Sequence, residues 1–408
     1  MTDTAAASDG TPAPDRTPGT GREPLVDPAP AGASTDLVVL RAPSANRVYT
    51  DAAGALMAAE AQRVLPAHLG ADAEIVEIEI GGAAALRIRT TAPLARTATI
   101  ARTLSGAWGL FEAREVGGEL LLAGCEAPDP CVHPSDLETT LRYPGKTNEQ
   151  FTALMVNVAA AASGRRAGLL DGSLALLDPM CGRGTTLNRA LRLGLSPVGA
   201  DIDKADAEAY RAFLVTWMRQ HRLKHTSQSG RLAVRGAVLG TRFDARMARD
   251  KAAQRAGEEQ TLTLLRCDTA RLGDVLPKSS ADVIVADLPY GVQHGAHGGG
   301  GLKRSPLDVL RDALPVWRRL LRRDGAMALA VNRRTASVED VTAALDGAGF
   351  ARISRDGEFR HRVDQAIDRD VVIAVRDDHP ERPGLVGLAA SDPTSSAPQP
   401  SPVPGKDL

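Results

Sequence analysis

The stretch Leu174-Ala175-Leu176-Leu177-Asp178-Pro179-Met180-Cys181-Gly182-Arg183-Gly184-Thr185-Thr186 joins an apolar run to two glycines and opens onto the periodic segment Leu187–Leu193. A run this short, bounded by turn residues, reads as a buried strand over Leu174–Leu177, and the segment after the glycines reads as a helix over 185–193. Glycines carry no side chain, so a ligand can approach the backbone and the unpaired amides of the helix start. Two common cradles are excluded. A dinucleotide fingerprint needs a third glycine where Leu187 stands, and a phosphate loop needs Gly-Lys-Ser/Thr, which does not follow.

Working outward, strand and helix alternate: Val198–Ala200, Ala205–Arg219, Thr261–Leu265, Val283–Ala286, Leu307–Leu321, Ala326–Val331 and Val338–Ala348. This pattern implies an α/β, Rossmann-like, doubly wound parallel sheet that binds its ligands at the carboxyl ends of the strands. Ala351–Ser354 and Val371–Val375 have only the short segment 355–370 between them, which allows an antiparallel pair at the sheet edge.

The carboxyl ends supply the candidate site residues. Asp201, in Val198-Gly199-Ala200-Asp201-Ile202-Asp203, stands 17 residues after Gly184, near the separation of about 20 expected for an acid that accepts from ribose hydroxyls. Asp203 reads instead as the cap of the next helix. Asp268, after Leu264-Leu265-Arg266-Cys267, reads either as a contact to an adenine amino group or as a turn cap. Asp287-Leu288-Pro289-Tyr290 delivers a carboxylate, a stiff turn and a ring to the end of another strand. An exocyclic base amine is a poor nucleophile because its lone pair is delocalised. A carboxylate accepting its N–H can hold that lone pair toward an electrophile, while Tyr290 stacks on a base that is extruded or unpaired. Asp287, Pro289 and Tyr290 are therefore the catalytic candidates.

Taken together, Asp178-Pro-x-Cys-Gly-x-Gly-Thr and Asp287-Leu-Pro-Tyr-Gly resemble motifs I and IV of the tRNA guanine-N2 methyltransferases that carry a THUMP domain. The likeness covers about Arg142–Asp377 and includes Tyr143-Pro144-Gly145-Lys146. It implies a class I methyltransferase fold with a seven-stranded mixed sheet and an antiparallel last strand. It also implies S-adenosyl-L-methionine as cofactor, RNA (tRNA first) as partner, and N2-methylguanosine as product. Asp178 can pair with the ammonium of such a cofactor. Met180, Cys181, Gly182, Gly184, Thr185, Thr186, Asp201, Ile202, Asp268 and Thr269 complete the cofactor set, with Lys146 and Thr147 as candidate contacts. The same Asp-x-Pro-Tyr geometry serves adenine N6 and cytosine N4, so an amino-methyltransferase of DNA or RNA is the alternative. A noncatalytic RNA-binding factor that keeps the fold is the reading of a different class.

Composition bounds the remainder. The 408 residues are 43% hydrophobic but only 3% aromatic, so Ala, Val and Leu must build the core. A net charge of −1 leaves nucleic-acid binding to local patches. One such patch lies in the insertion 219–260, where ten Lys/Arg face two Asp between Arg219 and Arg255. It replaces a connection of about two to six residues and reads as a nucleic-acid grip through Arg231, Arg235 and Arg242, or as a solvated loop. Lys303 and Arg304 follow a glycine-rich loop holding His294 and His297 and are placed for phosphates. Neither those histidines nor the four scattered cysteines read as a metal site. Free thiols, with no signal segment and no membrane-length apolar run, point to a reducing cytoplasm. Residues 36–126 form a small α+β domain, a candidate RNA-binding module, with strands at 37–40, 74–80, 86–89 and 120–122 and helices at 51–65 and 94–104. Residues 127–164 are a linker with the helix Gln150–Ala162, 165–377 the catalytic domain, and 1–35 and 378–408 disordered tails.

Overall fold

A computed structural model describes residues 34–44, 47–289 and 305–390. The N-terminal part runs β1 (Thr35–Arg41), α1 (Arg47–Leu69), β2 (Ala73–Ile80), β3 (Ala83–Thr90), α2 (Leu94–Ala101), β4 (Ala107–Val116) and β5 (Glu119–Gly124). The strands form a five-stranded antiparallel sheet in the order β2-β3-β1-β4-β5. Leu37, Val39, Leu86, Ile88 and Leu110 point from one face into a core shared with α1 and α2. Strand β4 escapes sequence reading because Gly109 breaks its alternation and Trp108 stands 61% exposed.

The connector carries α3 (Asp136–Thr139), α4 (Glu149–Ala162) and α5 (Gly168–Asp171). Asn148 accepts from the amides of Gln150 and Phe151 and so starts α4. From Phe151 to Ala162 every residue of α4 is buried, because α1 covers one side and the second sheet the other.

That sheet is built from β6 (Leu176–Asp178), α6 (Thr185–Arg192), β7 (Val198–Asp201), α7 (Lys204–Gln220), β8 (His225–Val234), β9 (Ala237–Met247), α8 (Lys251–Ala256), β10 (Gln260–Arg266), α9 (Leu272–Val275), β11 (Ala281–Asp287), α10 (Pro306–Leu320), β12 (Leu321–Asn332), α11 (Val338–Gly347), β13 (Phe350–Arg352), β14 (His361–Arg362) and β15 (Asp368–Arg376). The strand order is β13-β15-β12-β11-β6-β7-β10-β9-β8, with β14 paired to β15. Strands β10, β7, β6, β11 and β12 run parallel, and β15 is antiparallel between β12 and β13. This is the class I methyltransferase fold.

Two expectations need correction. The sheet has ten strands and not seven, because the basic insertion is a β-hairpin of two strands added beside β10 and the short β14 pairs with β15. Phe243, Ala245 and Met247 alternate inward with Arg242, Asp244 and Arg246 outward, so period-two burial decides the conformation. Arg235 (φ 51°) and Gly236 (φ 84°) close it as a tight turn with both central residues left-handed. The second correction concerns the segment after Asp377. A helix, α12 (Arg382–Ala390), forms there, anchored by Arg382 donating to the Asp377 carbonyl and by Leu385 against the core.

Candidate methyl-transfer site

Asp178 ends β6 and is 3% exposed. Its carboxylate accepts from the Met180 amide at 3.1 Å and from the Thr186 hydroxyl. Burial nevertheless lifts its carboxyl to about 7, and the charges of Asp201 and Asp287 add to the rise. A cation placed beside it would relieve that cost.

The glycine turn has a sterically enforced form. A Cβ on Gly184 (φ 76°) would come within 2.4 Å of the buried Tyr210 ring. Gly182 (φ 48°) has no described atom within 4 Å of where a Cβ would stand, which leaves its outer side open to a ligand. Leu187, in place of a third glycine, packs onto β7, where a Cβ on Gly199 would lie 2.5 Å from Leu187 Cδ1. Cys181 is 7% exposed, and its amide donates to the Ala200 carbonyl, tying the turn to β7.

Asp201 ends β7 and accepts from the Gly182 amide at 2.7 Å and the Asp203 amide at 2.8 Å. Burial raises its carboxyl above the ordinary value, and those two amides pull it back. Asp203 caps α7 through the Asp206 amide at 2.9 Å, as expected. Ile202 stands 68% exposed beside Asp201, an apolar surface that a flat ring system would cover. Asp268 caps the turn after β10 by accepting from the Ala270 amide at 2.9 Å. The Thr269 hydroxyl is buried and accepts from Trp317 Nε1, so that side chain is committed to the core.

Asp287 ends β11, next to β6. Leu177 pairs with Ile284, so Asp287 lies two residues beyond the level of Asp178, about 7 Å further along the strand direction. Its Oδ2 accepts from Thr147 Oγ1 at 2.6 Å. Thr147 thus belongs to the Asp287 side of the site. Lys146 does not point there: its ammonium donates to the Glu138 carbonyl at 2.5 Å and pairs with Glu149. Tyr143 closes the other flank, its hydroxyl 3.2 Å from Thr185 Oγ1 and its ring 4.8 Å from the Arg183 guanidinium carbon.

Three site residues emerge that sequence reasoning passed over: Tyr143, His361 and Arg369. Arg369 is 4% exposed, with Nη2 3.7 Å from Asp287 Oδ2 and its guanidinium carbon 4.9 Å from the Phe151 ring centroid. Its only sequence signal is a basic residue heading the apolar run Val371–Val375. Tyr290, Lys303, Arg304 and the two loop histidines lie outside the described residues. Of the insertion arginines, Arg231 pairs across the hairpin with Thr241, and Arg242 with Gly230, so the two face opposite sides. Arg242 is held by Asp244 at 2.7 and 2.9 Å. Among the described residues, no group of three or more His, Cys, Asp or Glu could hold a metal, and no helix is long and apolar enough to cross a membrane.

A buried acid whose charge a cation would stabilise, an open glycine turn, an acid for hydroxyls and an exposed apolar residue fit S-adenosylmethionine. The region is an S-adenosylmethionine-dependent methyltransferase domain. Residues 144–340, just under half of the chain, match the UPF0020 family, described as RMKL-like, methyltransferase domain. No curated protein matches the chain. Among solved structures, it is similar to a 1,6-didemethyltoxoflavin-N1-methyltransferase from Burkholderia thailandensis, at 16% identity and TM-score 0.31, covering 54% of this chain and 77% of that one. It is also similar to a ribosomal protein L11 methylase from Lactobacillus delbrueckii subsp. bulgaricus, at 15% identity and TM-score 0.29, covering 55% and 79%. A TehB-like methyltransferase from Corynebacterium glutamicum shows 16% identity and TM-score 0.29, with 56% and 97% covered.

Proposed function

We propose that this protein methylates RNA, forming N2-methylguanosine in tRNA, with S-adenosylmethionine as donor. The observation that carries the reading is the Asp287 carboxylate at the end of β11, one strand from the glycine turn and held by Thr147. The bound cofactor supplies an electrophilic methyl group. Asp178 would hold its ammonium, Asp201 its ribose hydroxyls and Ile202 its ring face. Asp287 accepts an N–H bond from the base amine and so keeps the lone pair aimed at the methyl. Transfer would break the sulfonium's methyl–sulfur bond as the nitrogen–carbon bond forms, leaving the neutral thioether S-adenosylhomocysteine; the methylated nitrogen is acidic, and Asp287 takes its proton. In this reading Pro289 stiffens the motif, and Tyr290 would stack on the base.

Guanine N2 is chosen over adenine N6 and cytosine N4 on the Leu288 form of the motif and the Tyr143–Lys146 segment. The test is incubation with labelled cofactor and total tRNA, rRNA or DNA, followed by digestion to nucleosides. Label in N2-methylguanosine from tRNA is expected. Label in N6-methyladenine or N4-methylcytosine, or none in any nucleic acid, overturns the assignment.

A further inference from the structure

Arg369 is the second residue of β15, just after a turn built on Asp364, which accepts from the Ala366 and Ile367 amides and reverses the chain from β14. A guanidinium that is 4% exposed is expensive unless a charge partner and good contacts surround it. The acids that flank it in sequence are engaged elsewhere. Asp368 is held by Arg360 at 2.7 Å, and Asp370 by Arg333 at 2.8 Å and by the amides of Val371 and Phe359. Arg369 instead lies against the Phe151 face, with its Nη2 at 3.7 Å from Asp287 Oδ2. Behind it, His361 sits 4.8 Å from Phe151 and 6.0 Å from Tyr49, centroid to centroid. Burial pushes the His361 ring down to about 4, so it stays neutral near pH 7 and adds no second charge.

We propose that Arg369 is a positioning residue of the methyl-transfer site: braced on Phe151, its guanidinium and the Thr147 hydroxyl fix one oxygen of Asp287 and thereby the rotation of the carboxylate. The physical logic is that of a preorganised acceptor. A carboxylate free to swing must be ordered in every turnover, and a small misplacement of an attacking amine costs on the order of 10²-fold in rate. The inference rests on the reading of Asp287 as the group that holds the amine.

The test is a double-mutant cycle on the full chain, with labelled cofactor, total tRNA, and cofactor binding by calorimetry. Arg369→Met should lower kcat by roughly 10²-fold while cofactor Kd and the KM for tRNA stay within about threefold. Arg369→Lys, which keeps a charge without the fork, should recover about tenfold of that loss. In the Asp287→Asn background, Arg369→Met should cost less than threefold more, because the charge it holds is gone. Additive losses, or a kcat unchanged in Arg369→Met, overturn the inference. If Asp287→Asn and Asp287→Ala both run at the wild-type rate, or the wild type methylates no nucleic acid, it is the catalytic reading that fails. Should Arg369→Met not fold, Thr147→Val removes the other clamp. It should lower kcat without changing cofactor affinity, and an unchanged kcat again counts against the proposal.

Discussion

Asp178 and Asp287 are carboxylates on adjacent strands with opposite surroundings. Asp178 is sealed at 3% exposure with its carboxyl lifted to about 7, whereas Asp287 lies between a threonine hydroxyl and a guanidinium at the mouth of the site. The first suits a cation that arrives with a ligand, the second a donor that must be aimed. Asp287→Ala should therefore lower methyl transfer by roughly 10²–10⁴ while cofactor affinity stays within a few-fold. Asp287→Asn keeps an acceptor oxygen and should retain more activity than Ala. Nucleoside analysis beside calorimetry checks both, and a near wild-type rate for the alanine variant would remove Asp287 from the chemistry. Asp201 already accepts two backbone amides, and each of its oxygens has a further lone pair for a ribose hydroxyl. Asp201→Ala should weaken S-adenosylmethionine binding by about 1.5–3 kcal/mol, and calorimetry returning the wild-type Kd would dismiss it.

Among the elements, the hairpin β8–β9 is where expectation and structure part furthest. Its positive charges read as a nucleic-acid grip or a solvated loop because they are conspicuous in sequence. The inward Phe243, Ala245 and Met247 that make it a strand are only every second residue among arginines. The strand–turn–helix at Leu176–Arg192 was legible because a glycine turn between two apolar segments has few other solutions. Strand β15 was legible from Val371 onward, but not Arg369, whose partner lies 82 residues earlier in the chain at Asp287. A contact that distant leaves no local pattern. Under the proposed tRNA reading, the three arginines of the hairpin are not equivalent. Arg231 and Arg235 are exposed near the turn, while Arg242 is neutralised by Asp244 on the other face. Neutralising Arg231, Arg235 and Arg242 together should lower tRNA affinity and flatten its salt dependence, with most of the change from the first two. Filter binding across salt concentrations measures it, and an unaltered slope would leave the hairpin a structural extension of the sheet.

At the scale of the molecule, α1 locks the N-terminal sheet onto the catalytic body. Arg63 makes two 2.7 Å bonds to Glu358, and the fully buried Glu60 accepts from Asn157 Nδ2 on α4 at 2.6 Å and from Ser105. Burial raises the Glu60 carboxyl from its ordinary 4.5 to about 7, against those hydrogen bonds. A carboxyl raised on folding binds its proton more tightly in the native state. Its contribution is complete below about pH 4.5 and is lost as pH rises through about 7. Thermal stability should therefore decline between pH 6 and pH 8, and Glu60→Gln should flatten that decline without abolishing it, since Asp178 contributes with the same sign. Melting curves across that range decide it, and an identical slope in the variant would show that Glu60 does not titrate there.

The burial of α4 on both flanks sets the smallest piece of this chain that can live alone. Cut to residues 144–340, the polypeptide would lose α1, β13 and β15. Helix α4 would then lose the α1 cover over Asn157 and Ala161, and β12 would present the seven residues 326–332 that β15 had paired to any passing strand. Such a fragment should self-associate before it binds anything. The catalytic module and the small sheet in front of it must be expressed as one body.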